Sequence, residues 1–571
     1  MVEENKPDPG CVTGCLYVFV VFPFWYFPKF FWRLPWTWLS RWHLRWLLAL
    51  APWAVLILAL VRPDLFASQL EWLNEFWSSE NLAHTAIPLT FGFCVVLATI
   101  FLGPIYGPAS AMGRRRRTIS HGSSEWGGLD DAKKSGAAHL ASSKTPPQPG
   151  QMLGRFSKGH IYRTSGHVLT IAPTGSGKGI GCVIPHLLTY PAPVFVLDVK
   201  GENYAVTHRR REEMGHTVHC IDPFAVTGAK PSPVNPLDLV DPLAPDSVAR
   251  AAQLADALVL RSSGGDQHWD DSAAALIQGL LLHIAALPKE QKHLGTLREL
   301  LTLGTADLEA LLEVMTMTDE GHGIVARAAR AQLSRAEREA SSVVSTAIRH
   351  TSWLDDPRVT ASLKTGFPFD LKGGATTVYL VIPPELIRPM RGLVRAIVTG
   401  FVQAQMTPAK SELGPVVFLL DEVAQLGHLA VLEDGVAILR GYGCRLWMLV
   451  QDLSQLEAVY PRWRTFLANS ALQAFGTQDL ATCEHISKML GQQTIEVQSA
   501  SKSSQDGNPG SVSSNRSNLG RDLMTPDEVR RLEPSRVIII KQGEPPYRLQ
   551  RLNYLEDPET LTAYDANPYH S

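Results

Sequence analysis

The stretch VLTIAPTGSGKGIGCVIPHLL, residues 168–188, decides the fold class of this chain. Its first five residues are mostly apolar and typical of a short buried strand, and its last part is compatible with a helix. Between them lies a glycine-rich turn that carries Lys178. A strand, a glycine-rich loop with a lysine and a helix, in this order, form the context of a phosphate-binding loop. The stretch therefore predicts an α/β fold with a nucleotide site.

The turn has the chemistry that ATP binding needs. Its glycines let backbone N–H groups approach phosphate oxygens, and the N-terminus of the following helix adds a partial positive charge. Lys178 is expected to reach the β- and γ-phosphates. The residues assigned to this loop are Pro173, Thr174, Gly175, Ser176, Gly177, Lys178 and Gly179.

Two positions depart from the usual pattern of such a loop. Ala172 stands where the first glycine is common, and Gly179 stands where a serine or threonine normally binds Mg²⁺ through its hydroxyl. The metal would then depend more on water and on acidic residues elsewhere in the chain.

A second apolar run, residues 416–420, ends in Asp421 and Glu422. A continuous apolar run is typical of a strand buried on both faces of a parallel sheet. Asp421 is expected to hold Mg²⁺ through water, and Glu422 to orient and polarise the attacking water. The strand at 194–197, which is followed by Asp198, is a rival for this position. Two adjacent carboxylates favour the first assignment, since they supply both roles.

A further apolar strand, residues 445–450, ends in Gln451. A polar amide at the end of a strand beside the phosphate loop can sense the γ-phosphate. Spacing alone leaves this role and an ordinary polar strand end equally open. The basic run 208–211 is interpreted as a solvated helix face, with a contact to DNA phosphates as the less common alternative.

The first 113 residues are interpreted as a membrane module with spans at about 46–61 and 87–106. The second run has 20 uncharged residues, which matches a hydrocarbon core of about 30 Å. The connection between the spans is acidic and both outer flanks are basic, so the positive-inside rule puts the body after Arg114 in the cytoplasm. Residues 11–28 are interfacial or a third span. Residues 114–150 form a basic linker next to anionic lipid.

The composition excludes several classes of protein. A balance of 53 Lys+Arg against 55 Asp+Glu excludes a uniformly basic nucleic-acid-binding protein. Seven cysteines in 571 residues exclude a disulfide scaffold, and 45% hydrophobic with 19% charged residues excludes global disorder.

The chain between the two parts of the nucleotide site has a different composition, rich in Ala, Leu, Glu and Arg. Its apolar spacing predicts an all-α domain at 242–349, inserted between the α/β segments 151–241 and 350–556. The expected helices cover residues 252–260, 273–287, 297–312 and 324–346. A flexible surface loop is expected at 499–518, a last buried strand at 537–540, and a polar, mobile tail at 557–571.

Eight sequence blocks, taken in order, resemble the TraG/TraD-like coupling ATPases of type IV secretion systems. The blocks are APTGSGKG (172–179), FVLDVKGENY (195–204), NPL (235–237), HW (268–269), LLDEVAQLG (419–427), QDLSQL (451–456), FGTQD (475–479) and TPDEVRRL (525–532). They extend over most of residues 150–555, and an N-terminal membrane hairpin also fits this family. The family tolerates glycine at the position of Gly179.

The resemblance implies a RecA-like ATPase domain with an inserted all-α domain, anchored in the bacterial inner membrane by the hairpin. Such proteins form homo-hexameric rings that use ATP and Mg²⁺. In a ring each nucleotide lies between two subunits, and Arg440 aligns with the arginine that the family supplies in trans. The all-α domain of the family faces the cytoplasm and recognises substrate.

The implied partners are inner-membrane components of the secretion machine and its cargo. That cargo is either a relaxase bound to single-stranded DNA or a set of effector proteins, and the sequence leaves both open. Two other functions also remain. One is a chromosome-segregating DNA pump of the FtsK kind, which typically has a longer membrane part and a C-terminal DNA-reading module. The other is a receptor or scaffold whose assembly is set by ATP binding.

Overall fold

The computed structural model describes residues 121–140, 150–156, 159–261, 267–364, 366–502 and 512–569. The expected spans at 46–61 and 87–106, and the segment 11–28, lie outside the described residues. Among the helices of the described part, none combines the length and the hydrophobicity that a membrane crossing requires.

The described strands form one large mixed sheet and a separate two-stranded ribbon. The strands are β1 (Ala138–Leu140), β2 (Gln151–Arg155), β3 (His160–Thr164), β4 (His167–Ile171), β5 (Val194–Asp198), β6 (Thr217–Ile221), β7 (Thr376–Val381), β8 (Val416–Leu420), β9 (Cys444–Val450), β10 (Ser470–Ala474), β11 (Gln492–Lys502), β12 (Val512–Asp522), β13 (Arg536–Ile540) and β14 (Tyr547–Gln550). The order across the large sheet is β1-β3-β2-β14-β13-β10-β4-β9-β8-β5-β7-β6.

The centre of this sheet is parallel. All neighbours from β10 to β6 run in the same direction, whereas β13, β14, β2, β3 and β1 add an antiparallel extension on one side. The strands expected at 168–172, 194–197, 416–420, 445–450 and 537–540 are confirmed, with ends within one residue, as β4, β5, β8, β9 and β13. The predicted α/β class is therefore confirmed.

The parallel strands are covered on both faces, which explains their continuous apolar runs. Every residue of β4, β5 and β8 is buried. Successive side chains of β8 alternate between two hydrophobic clusters, with Phe418 and Leu420 in one and Val417 and Leu419 in the other. This is the period of two that a strand imposes on its side chains.

One described helix precedes β1, and the others lie along the chain between the strands. They are α1 (Leu129–Lys134), α2 (Ile184–Thr189), α3 (Glu202–Glu213), α4 (Ser247–Leu258), α5 (Gln267–Ala286), α6 (Leu294–Leu301), α7 (Thr305–Met315), α8 (Ile324–Leu333), α9 (Glu337–Thr351), α10 (Pro357–Ser362), α11 (Arg391–Ala404), α12 (Ala430–Ile438), α13 (Leu453–Val459), α14 (Trp463–Asn469), α15 (Leu480–Leu490) and α16 (Pro526–Arg530). Within the region expected to be all-α, α5 packs against α4, α8 and α9.

Two of the four helices expected in that region are each divided into two shorter helices, so the prediction of single helices is wrong there. The stretch 297–312 is divided between α6 and α7, because Gly304 has an extended ψ of 152° and precedes the new helix. The stretch 324–346 is divided between α8 and α9 by Ala336, whose ψ of 143° is also extended. The apolar spacing continues through both breaks, so periodicity alone did not separate the helices.

The expected loop at 499–518 is also wrong over its described part. Residues 492–502 and 512–522 pair in antiparallel register, from Gln492 with Asp522 to Lys502 with Val512. Leu519 and Val497 in this ribbon are exposed. Among residues 492–499 and 516–522 of this ribbon, no side chain is buried. A strand segment without a buried face lacks the alternation of apolar and polar residues by which a strand is recognised.

The expectation of a mobile tail is contradicted by the packing of residues 557–569. Ala563 is buried in a small cluster with Ile184, Leu188 and Val206, which belong to α2 and α3. Asp565 pairs with Arg209 at 2.7 Å. The tail therefore covers the helices that follow the phosphate loop and β5.

Candidate nucleotide site

Three adjacent strands bring the predicted site residues to one edge of the sheet. β4 is hydrogen-bonded to β9, and β9 to β8, all in parallel. The carboxyl ends of parallel strands meet at the same edge, so the phosphate loop, Gln451 and the pair Asp421–Glu422 follow neighbouring strands. In open α/β sheets, ligands bind at this edge.

The phosphate loop, residues 173–179, turns sharply between β4 and the following helix. Gly175 and Gly177 have φ of +78° and +86°, a region that favours glycine. The hydroxyl of Ser176 donates to the Pro173 carbonyl at 2.6 Å and closes the turn. A π-helical turn, Gly179–Val183, then leads into α2. The helix expected after the loop is thus present, with a wide first turn.

Lys178 lies against the acidic pair. Its ammonium group donates to Glu422 Oε1 at 2.9 Å and lies 3.9 Å from Asp421 Oδ1. Gln451 Nε2 donates to both Glu422 oxygens, at 3.2 and 3.0 Å. Gln425 Nε2 lies 3.5 Å from Glu422 Oε2. Four of the predicted site residues therefore converge, with the Glu422 carboxylate at their centre.

The backbone at Glu422 is in the left-handed region, with φ +49° and ψ +39°. A non-glycine residue held there costs of order 1–3 kcal/mol, and such residues cluster at functional sites. Burial raises the pKa of the neighbouring Asp421 to about 6, against the lowering effect of Lys178. The Glu422 and Glu202 carboxylates add to the rise.

Asp198, the rival acid, already has main-chain partners. Its carboxylate accepts from the N–H groups of Tyr204 at 2.9 Å and Lys200 at 3.4 Å, and from Asn203 Nδ2 at 3.4 Å. Burial raises its pKa to about 7. These bonds fix the turn from β5 into α3, which is a structural role.

Arg440 is not part of this assembly within one chain. It lies exposed in the turn between α12 and β9, where its carbonyl accepts from Arg445 Nη1 at 3.2 Å. Gln451 follows the other end of β9, so Arg440 is at the opposite edge of the sheet, roughly 20 Å away at strand rise.

The basic run 208–211 includes one residue with a structural role. Arg211 is buried and donates to the carbonyls of Leu187 and Ala192.

Sequence reasoning missed Arg551, Glu202 and Asn567. Arg551 donates to the Ser176 carbonyl in the phosphate loop and stacks on the Phe475 ring, 5.3 Å from its centroid. Asn567 Nδ2 donates to Glu202 Oε1 at 2.7 Å. Glu202 lies in the block 195–204, which the sequence singled out without a role for it. For the other two no local signal exists.

Residues 128–570 match the profile of the family described as "Type IV secretory system Conjugative DNA transfer". The chain belongs to this family. The match takes in the phosphate loop, the acidic strand and the helical insertion, so the resemblance to type IV secretion coupling proteins is confirmed.

Curated relatives agree with this membership in the conjugative DNA-transfer family. The chain is 28% identical over 468 residues to "Protein VirD4" of Rhizobium radiobacter, covering 77% of this chain and 65% of that relative. It is 30% identical over 454 residues to "Conjugal transfer protein TraG" of Escherichia coli, covering 72% and 71%. The chain thus spans slightly less than two thirds of the VirD4 protein that it matches.

Solved structures show the same fold. The conjugative coupling protein TrwBΔN70 superposes with a TM-score of 0.55 at 16% identity, over 76% of this chain and 96% of that one. TrwB in complex with ADP and Mg²⁺ superposes with a TM-score of 0.54, over 75% and 93%. The nucleotide-binding α/β fold of this family member, with its mixed sheet, is therefore that of TrwB.

Proposed function

We propose that this protein is a coupling ATPase of a type IV secretion system. It binds ATP with Mg²⁺ and uses hydrolysis to drive cargo toward the secretion channel. The observation that carries the proposal is the convergence of Lys178, Asp421, Glu422 and Gln451 at the carboxyl edge of three adjacent strands. The ADP and Mg²⁺ bound by TrwB, and the conjugal transfer named for TraG, support it.

Each side chain has a role in the proposed reaction. Lys178 and the loop N–H groups bind the phosphates, and Asp421 holds the magnesium ion through water. Glu422 orients and polarises the attacking water, and Gln451 reports the γ-phosphate through its bonds to Glu422. When nucleotide enters, Lys178 exchanges its bond with Glu422 for phosphate oxygens, which frees the carboxylate to act. Magnesium, when bound, neutralises charge that develops on the phosphates.

We propose Arg440 as the residue that completes the site of a neighbouring subunit. It is exposed and lies on the far edge of the sheet from its own phosphate loop, so it is available to a second copy. This supports a ring of identical subunits, with six expected from the family resemblance.

The proposed location is the bacterial inner membrane. The hairpin of residues 1–113 anchors the protein, the linker 114–150 lies against lipid, and the ATPase domain (151–241 and 350–556) projects into the cytoplasm. The helical domain 242–349 receives the cargo, either single-stranded DNA with its relaxase or effector proteins. The tail 557–571 belongs with the ATPase domain, against which its described part packs.

The deciding experiment measures ATP turnover by the purified full-length protein, with and without single-stranded DNA, beside a conjugation or effector-transfer assay. We expect turnover and transfer to be lost together in Lys178→Ala and Glu422→Gln. Normal turnover and transfer in either variant would contradict the proposal. Binding of ATP without turnover in the wild type would favour the alternative of a receptor or scaffold whose assembly is set by ATP binding.

A salt titration of DNA binding by the same full-length protein distinguishes the two kinds of cargo. Binding to DNA through phosphates falls steeply as salt rises, because condensed counterions are released. A steep salt dependence of DNA binding therefore supports a nucleoprotein cargo, whereas undetectable DNA binding at low salt favours effector proteins.

A further inference from the structure

Gly179 lacks the hydroxyl that usually binds Mg²⁺ at this position of a phosphate loop, and the side chain of Glu202 lies close to it. A Cβ atom built on Gly179 would lie 3.6 and 3.9 Å from the two carboxylate oxygens of Glu202, with no closer contact. A serine or threonine hydroxyl at 179 would extend from that Cβ atom. The Glu202 carboxylate therefore lies next to the position from which the usual metal-binding hydroxyl would extend.

Glu202 is held in this place from two sides. It is the first residue of α3, where the helix N-terminus favours a negative charge. Gly201 precedes it with φ +73°, which turns the chain sharply out of the β5 loop. From the tail, Asn567 Nδ2 donates to Glu202 Oε1 at 2.7 Å, and the Tyr569 hydroxyl donates to the Lys200 carbonyl at 2.9 Å.

A second carboxylate, that of Asp421, follows the neighbouring strand. β5 and β8 are paired in parallel, so Glu202, at the start of α3, and Asp421 both follow the carboxyl ends of adjacent strands. Magnesium is a hard cation that is bound in nucleotide sites by one or two carboxylates together with phosphates and water. The donor set therefore fits a magnesium–nucleotide complex, even though Gly179 offers no oxygen from its side chain.

We propose that Glu202 takes over the magnesium-binding role of the hydroxyl missing at Gly179, and that Asn567 of the C-terminal tail is its positioning residue. This inference rests on the nucleotide site of the proposed function. It assigns the tail a part in metal binding, and it explains how a glycine after the loop lysine is compatible with a working site.

The test measures metal affinity apart from activity. Binding of Mn²⁺ to the full-length protein with ADP is followed by electron paramagnetic resonance, and binding of a fluorescent ADP analogue is measured in EDTA. We expect Glu202→Gln to weaken Mn²⁺ binding by at least about 10-fold, the lower end of what a lost partner around a metal causes. Binding of the analogue in EDTA should change less than about twofold, since that state holds no metal.

Rescue makes the test specific. A Cβ atom at position 179 makes only ordinary van der Waals contacts, so a serine fits there. Gly179→Ser should therefore restore Mn²⁺ binding when it is combined with Glu202→Gln. Asn567→Ala should also weaken Mn²⁺ binding, but by a smaller factor than Glu202→Gln. Glu212→Gln, at an exposed glutamate of the same helix, is the matched control and should have no effect.

Two results would overturn the inference and leave the proposed function intact. One is Mn²⁺ binding by Glu202→Gln equal to that of the control, and the other is a failure of Gly179→Ser to restore it. Absence of any nucleotide binding by the wild-type protein would instead overturn the proposed function itself.

Discussion

The guanidinium of Arg551 donates a hydrogen bond to the main-chain carbonyl of Ser176, 375 positions earlier in the chain. The same group stacks on Phe475, which follows β10. Gly181 permits this approach, since a Cβ atom there would lie 2.9 Å from Cδ of Arg551. The phosphate loop is thus held in place by a residue that directly follows β14.

Removal of this contact should loosen the phosphate loop. A hydrogen bond from a charged group contributes about 1.5–3 kcal/mol. We therefore expect Arg551→Ala to weaken ATP binding by roughly tenfold or more, as measured by equilibrium fluorescence titration. Arg548→Ala is the control, because Arg548 is an exposed residue of β14, three positions before Arg551, and stacks on Trp126 instead. Equal affinities in the two variants would contradict a role for Arg551.

Glu422→Gln should separate binding from hydrolysis. The amide keeps the size of the side chain but no longer accepts a proton or pairs as an anion with Lys178. We expect a loss of turnover of about 10²–10⁴-fold, the usual contribution of a general base. ATP binding should persist. Glu412→Gln, at an exposed loop position, is the control. Turnover near the wild-type rate in Glu422→Gln would remove this residue from the mechanism.

Arg440→Ala should affect only the assembled ring. Because Arg440 lies at the far edge of its own sheet, nucleotide affinity of a subunit should not change. Turnover should fall by about 10³-fold or more, as for arginine fingers of other NTPases. Mixing this variant with Lys178→Ala should restore part of the activity, since some interfaces then combine one intact loop with one intact arginine. No restoration on mixing would show that Arg440 does not act in trans, and Arg338→Ala serves as an exposed control.

Titration of Asp198 should make the free energy of unfolding depend on pH. Its pKa is raised by burial to about 7, whereas an unfolded aspartate titrates near 3.9. Between these values the folded chain binds the proton more tightly, so the free energy of unfolding falls as pH rises. The greatest slope is roughly 1.4 kcal/mol per pH unit.

Asp198→Asn removes this titration and keeps a side-chain oxygen for the Tyr204 N–H group. We expect its Tm in metal-free buffer to rise relative to the wild type as pH increases from 5 to 8. Parallel Tm curves over this range would show that Asp198 stays ionised in the folded protein.

The sequence by itself determined the central strands and the chemistry at their ends. β4, β5 and β8 are buried on both faces, so their composition alone marks them as strands of a parallel sheet. The loop with Lys178 and the pair Asp421–Glu422 follow directly from those strands. Their meeting at one edge could be expected because carboxyl ends of parallel strands converge.

Tertiary structure alone decided the remaining parts of the site. Periodicity reports which face of a segment is buried, and it carries no information on partners hundreds of residues away. In the ribbon of β11 and β12, the side chains at 492–499 and 516–522 are not buried, so the sequence resembled a loop. The bonds from Arg551 to Ser176 and from Asn567 to Glu202 join residues that local sequence does not relate. They exist because the antiparallel extension and the tail return the end of the chain to the phosphate loop.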